Sequence, residues 1–91
     1  MNISGLLNSG AKILKQNKIK THQLDSELVL SNILNKQREN LIINSTQKVS
    51  ETTVINFENL INRRAKREPL AYILRNKEFW SKDFLSFFLI T

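Results

Sequence analysis

From Glu51 to about Arg67 the chain sets Val54, Phe57, Leu60, Ile61 and Ala65 at helical spacing, with Thr52, Asn56, Asn59, Arg63, Lys66 and Arg67 opposite them. A stripe of this kind needs a second apolar surface to cover it, so the segment commits the chain to helix-on-helix packing. Its limits are also marked. Ser50 is an N-cap with Glu51 in the first turn, and Pro69 ends the helix while suiting the start of a short one, Leu70 to Leu74. Arg64 alone breaks the pattern, because the helical step puts it inside the apolar arc. A cation there must reach solvent along its stem or meet an acid, and Glu27 is the expected partner.

The covering surfaces lie upstream. Between Ser4 and Gln16, Leu7, Ala11 and Leu14 form one row and Leu6, Gly10 and Ile13 the next, with Lys12 and Lys15 outward and a stop expected at Asn17 or Lys18. Thr21 is an N-cap candidate for a helix to about Asn35. Its wide apolar set, Leu24, Leu28, Val29, Leu30, Ile33 and Leu34, suits a central helix, and Asp25 and Glu27 sit where acids favour the helix dipole. Leu41-Ile42-Ile43, after Arg38-Glu39-Asn40, fits one or two helical turns, and Asn44 to Val49 is a loop. After Leu74 the pattern changes to Glu78-Phe79-Trp80-Ser81-Lys82-Asp83-Phe84, which predicts a β-hairpin. The expected fold is mainly α: a bundle of four to five helices over residues 1–76, then a hairpin or linker over 77–91.

At 91 residues the chain holds one small domain, and a core of that size is able to stand without disulfides or metal. It has no cysteine and one histidine, His22, so zinc sites and Cys/His catalytic pairs are excluded. Neither Gly5 nor Gly10 belongs to a phosphate-cradling motif. His22 has no cysteine or second histidine to work with and reads as a solvated first-turn residue. The carboxylates are scattered, and none forms a defensible acid/base pair. No signal-peptide pattern or membrane-length apolar run is present, which points to a soluble cytoplasmic protein without a membrane partner.

The formal net charge is +6. It fits nucleic acid or an acidic partner, and the richness in Asn, Ile and Lys fits compositional drift equally. Arg63, Lys66 and Arg67 are the candidate partner-binding group; a cationic last turn complementing the helix dipole is the plainer account of the same residues. Phe79 and Trp80 lack the interleaved cations of an RNA-stacking sheet and read as packing residues. A helix-turn-helix reading lacks the tight glycine turn between helices.

The run Arg63-Arg64-Ala65-Lys66-Arg67-Glu68-Pro69-Leu70-Ala71-Tyr72-Ile73-Leu74, followed by Glu78-Phe79-Trp80 and Asp83-Phe84, resembles the interdomain junction of bacterial release factor glutamine methyltransferases, the HemK/PrmC family. Asp25-Ser26-Glu27 with Leu30 is similar to that family's second-helix motif. The resemblance implies an N-terminal helical domain in which Glu27, Arg64, Glu68, Pro69, Tyr72, Phe79 and Trp80 have structural or linker roles. It further implies a parent enzyme that uses S-adenosylmethionine to methylate the glutamine of the Gly-Gly-Gln motif in peptide chain release factors. In some relatives that enzyme is fused to a tRNA methyltransferase.

The departures shape the expectation. Thr91 stands where the family's first proline falls, Arg75 stands where it has a glycine, and the cofactor and Asn-Pro-Pro-Tyr motifs are absent from the 91 residues. No catalytic or cofactor-binding residue is carried over. The expectation is a non-catalytic release-factor-recognition domain, from a truncated gene or a split one completed by a separately encoded methyltransferase domain. A small basic RNA- or ribosome-associated helical module is the alternative.

Overall fold

The computed structural model describes residues 1–75. The expected hairpin, with Phe79 and Trp80, lies outside the described residues. Five helices follow in order: α1 (Ile3–Gln16), α2 (His22–Leu34), α3 (Arg38–Ile43), α4 (Glu51–Ala65) and α5 (Leu70–Arg75). Among the described residues there is no strand; Asn2 and Lys48 form one isolated antiparallel bridge.

The predicted faces become the core. Leu6, Leu7, Ala11 and Leu14 of α1, Val29 and Leu30 of α2, and Phe57 and Ile61 of α4 are all buried. Helices α1, α2 and α4 pack against one another, α3 leans on α2 and α1, and α5 on α4 and α2. Gly10 sits at the tightest point. A Cβ there would fall 2.5 Å from Phe57 Cζ and 2.8 Å from Ser26 Oγ. Only glycine lets the three helices approach this closely. The fully buried Ser26 has its hydroxyl satisfied, donating to the Leu7 carbonyl at 2.8 Å.

Both ends of α1 are tied to α4. At the N-terminal end, Asn2 Oδ1 accepts from Gly5 N at 2.7 Å, while Ile3 N and Ser4 N donate to the carbonyls of Gln47 and Ser45 and Val49 N donates to Met1 O. These bonds satisfy donors that a helix start leaves open, and they hold α1 beside Ser50, whose hydroxyl caps α4 at Thr53 N. At the other end, Arg67 Nη2 donates to Asn17 O at 3.1 Å. Helices α1 and α4 therefore run parallel. Helix α2 returns antiparallel to α1 after a short turn, which places Lys36 and the start of α3 at the opposite end of the bundle.

Three helix ends use left-handed residues, and none is glycine: Lys18 (φ 63°), Asn35 (φ 55°) and Arg67 (φ 69°). Each is fixed by the paired bonds of a Schellman cap. Ile19 N donates to Leu14 O and Lys18 N to Lys15 O; Lys36 N to Ser31 O and Asn35 N to Asn32 O; Glu68 N to Arg63 O and Arg67 N to Arg64 O. Helix α4 thus closes at Ala65, two residues before the expected end, because Arg67 reverses the chain. Thr21 occupies the N-cap position of α2 as expected, but its hydroxyl turns to Asp25 instead of the backbone. Leu24, expected on the apolar face, is exposed.

Candidate functional site

The basic end of α4 is divided by the helical step. Arg64 points inward, where Nε donates to Asp25 Oδ2 at 2.8 Å and Nη1 donates to Glu68 O at 3.1 Å. Asp25 is only 4% exposed, and the Thr21 hydroxyl donates to the same oxygen at 3.0 Å. The expected Glu27–Arg64 pair is therefore corrected to Asp25–Arg64. Residues two apart on a helix point about 200° apart, so Asp25 faces α4 while Glu27 faces α3. A sign of this was present in the sequence: Asp25 lies one helical turn before Val29, on the arc that α2 buries.

Glu27 serves a different joint. Its Oε1 accepts from Arg38 Nε at 3.0 Å and Nη2 at 2.7 Å, and its Oε2 accepts from Gln23 Nε2 at 2.9 Å. The Gln23 hydrogen bond, reinforced by Arg38, holds the carboxyl below its ordinary pKa against the opposing effect of burial. Both buried carboxylates thus act as clamps between helices.

The three candidate partner-binding cations differ from Arg64 and from one another. Arg63 meets Glu68 as a charge contact without directed hydrogen-bond geometry, with both side chains about one-third exposed. That setting makes the pair worth at most about 1 kcal/mol. Arg67 is exposed and spends one donor on Asn17 O. Lys66 is exposed and forms no ion pair with any described residue. By joining the C-terminal ends of α1 and α4, the fold brings Lys15, Lys18 and Lys20, all exposed, to the same end as Lys66 and Arg67. That grouping was missed because it depends on topology and has no local signal.

Of the remaining named residues, Pro69 and Tyr72 lie at the start of and within α5, and Phe79 and Trp80 lie outside the described residues. The Pro69 carbonyl accepts from Tyr72 N and Ile73 N to start α5; Ile73 is fully buried and Tyr72 half exposed. His22 is partly buried, with Nδ1 3.0 Å from the Ile19 carbonyl it donates to. Among the described residues no group of three His, Cys, Asp or Glu could hold a metal ion, and no helix is long and apolar enough to cross a membrane.

Comparison with known proteins places this bundle. A Rickettsia felis bifunctional methyltransferase is 36% identical over 83 residues, covering 91% of this chain and 16% of the relative. A release factor glutamine methyltransferase of Nitratidesulfovibrio vulgaris is 34% identical over 82 residues, covering 90% of this chain and 28% of the relative. One from Buchnera aphidicola is 40% identical over 62 residues, covering 68% of this chain and 22% of the relative. The chain thus spans between about a sixth and just over a quarter of these relatives' lengths. No solved structure matches it. The family described as PrmC N-terminal domain matches residues 5–74, from the first turn of α1 to the penultimate residue of α5. The chain belongs to the PrmC N-terminal domain family.

Proposed function

We propose that this chain is the substrate-recognition part of a release factor glutamine methyltransferase system and works in the cytoplasm. The observation that carries this reading is the agreement between the family match over residues 5–74 and the five-helix bundle. Residues 1–76 form the recognition domain, and residues 77–91 serve as the linker toward a methyltransferase domain, whether in the same parent chain or separately encoded. The partner is a peptide chain release factor, met by the outward cations Arg63, Lys66 and Arg67.

Methyl transfer belongs to that other domain. The full-length family's cofactor, S-adenosylmethionine, does not fit the described residues. Both glycines lie within α1, and the space beside Gly10 is filled by Phe57 and Ser26, so no backbone cradle for the cofactor exists there. No chemical step is assigned to these helices.

The test is capture of purified release factor by the immobilised chain, compared with Lys66→Glu and Arg63→Glu variants. Binding by the parent chain and its loss in the variants is the expected result. A chain that ignores release factors while folding normally would sink the proposal.

A further inference from the structure

We propose that the C-terminal ends of α1 and α4 together form a phosphate-binding pole for structured RNA. Five exposed cations stand there: Lys15, Lys18 and Lys20 on the α1 side, and Lys66 and Arg67 on the α4 side. The Arg67–Asn17 bond fixes the two sides next to each other. The plainer role for such cations is to offset helix dipoles, and its size is calculable. Each helix end carries about half a unit charge. The C-terminal ends of α1 and α4 are negative, and the antiparallel N-terminal end of α2 is positive, so about half a negative unit needs offsetting. Five cations exceed that requirement by more than four charges.

Nearby acids do not absorb the excess. Asp25 is matched by Arg64 and Glu68 by Arg63. Of the acids in no ion pair among the described residues, Glu39 and Glu51 start α3 and α4 at the opposite end of the bundle, and Glu58 lies midway along α4. The opposite end carries Lys36, Arg38 and Lys48 as well, but there Glu27 pairs with Arg38 and Glu39 and Glu51 offset the other two, so the positive excess is concentrated at the α1–α4 C-terminal pole.

The chemistry of the pole favours a nucleic-acid backbone over an acidic protein. Its free cations are mostly lysines, mobile point charges suited to phosphates, while Arg64, built for bidentate carboxylate recognition, is held by the buried Asp25 and Arg63 is paired at the surface with Glu68. Ile19, between Lys18 and Lys20, is turned inward and buried. The turn itself therefore offers no apolar anchor, and Leu24 in the first turn of α2 is a single exposed apolar side chain beside it, against five exposed cations.

The experiment measures binding of the full chain to a structured RNA hairpin across a salt series. The test variant is Lys15→Gln/Lys18→Gln/Lys20→Gln. A Lys36→Gln/Lys48→Gln variant removes charge from the opposite end, and unchanged melting of each variant is checked alongside. The expected result is salt-sensitive binding, with the log–log salt slope reduced by about 3 in the test variant, one per phosphate contact removed, and nearly unchanged in the control. Absence of binding at low salt would overturn the proposal. So would a per-charge loss in the control equal to that of the test variant, which would leave only net charge. Equal binding of polyglutamate would reassign the pole to acidic proteins. The test variant keeps Arg63, Lys66 and Arg67, so its outcome is read independently of release-factor capture.

Discussion

Helices α1, α2 and α4 meet at a tight seam, whereas α3 buries one apolar side chain, Leu41, and is otherwise held by the Arg38–Glu27 pair. At the seam, Gly10, Ser26 and Phe57 interlock so closely that a single added carbon collides with its neighbours. On α3, Leu41 is fully buried while Ile42 and Ile43, equally apolar, are 63% and 76% exposed. Apolar character alone therefore does not settle where a residue goes in this chain. What decides is whether the helical step turns the residue toward a surface that reaches it.

The largest effects should come from the seam. Phe57→Ala should cost about 3–5 kcal/mol by leaving a cavity. Gly10→Ala should cost about 1–3 kcal/mol by overpacking, less up to about 1 kcal/mol of gained helix propensity. In a Phe57→Leu background the penalty at Gly10 should shrink, leaving the part due to the Ser26 hydroxyl. Thermal or denaturant melts of the four proteins would show this, and an unchanged Gly10→Ala penalty in both backgrounds would mean that the two residues do not compete for space.

The joint between α2 and α4 comes next. Arg64→Met leaves the buried Asp25 without its cation and should cost about 2–3 kcal/mol; the value lies below that of a fully buried pair because Arg64 keeps some exposure. Adding Asp25→Leu should recover part of that loss, whereas Glu27→Leu should not. Recovery through Glu27 would restore the pairing expected from sequence.

A smaller effect, confined to acid, marks the joint between α2 and α3. The pKa of Glu27 is lowered in the folded chain. Its contribution is complete above the ordinary glutamate range and is lost as pH falls through the lowered folded value. Glu27→Gln should therefore flatten the decline of melting temperature with falling pH in that acid window. Parallel curves for the two proteins would rule out this role. At the small end of the comparison, Ile43→Ser should change stability by no more than about 0.5 kcal/mol, although the neighbouring Leu41→Ala should cost several times as much.

Much of the bundle was legible in the sequence because its signals are local. The rows of α1, the N-cap at Ser50, the start of α5 after Pro69 and the anomaly of Arg64 all follow from helical period and capping chemistry. The partner of Arg64 was misread because two acids stand close together on α2, and the deciding fact is which of them faces α4. The candidate site was legible only in part. Arg63, Lys66 and Arg67 are visible as a charged helix end, but their association with Lys15, Lys18 and Lys20 requires knowing that α1 and α4 run parallel. The helix ends gave little warning, since left-handed caps are usually signalled by glycine and this chain uses none there.

The caps at Lys18 and Arg67 bear on how such a domain could change over time. A side chain in the left-handed region costs about 1 kcal/mol relative to glycine, so both positions hold stability that one substitution could release. Lys18→Gly would release it at the sacrifice of a pole cation. Arg67→Gly would lose both a charge and the bond to Asn17 that joins the two helix ends. If the pole is functional, firmness and charge compete at the same two residues, and selection for binding would keep this fold less stable than its backbone allows.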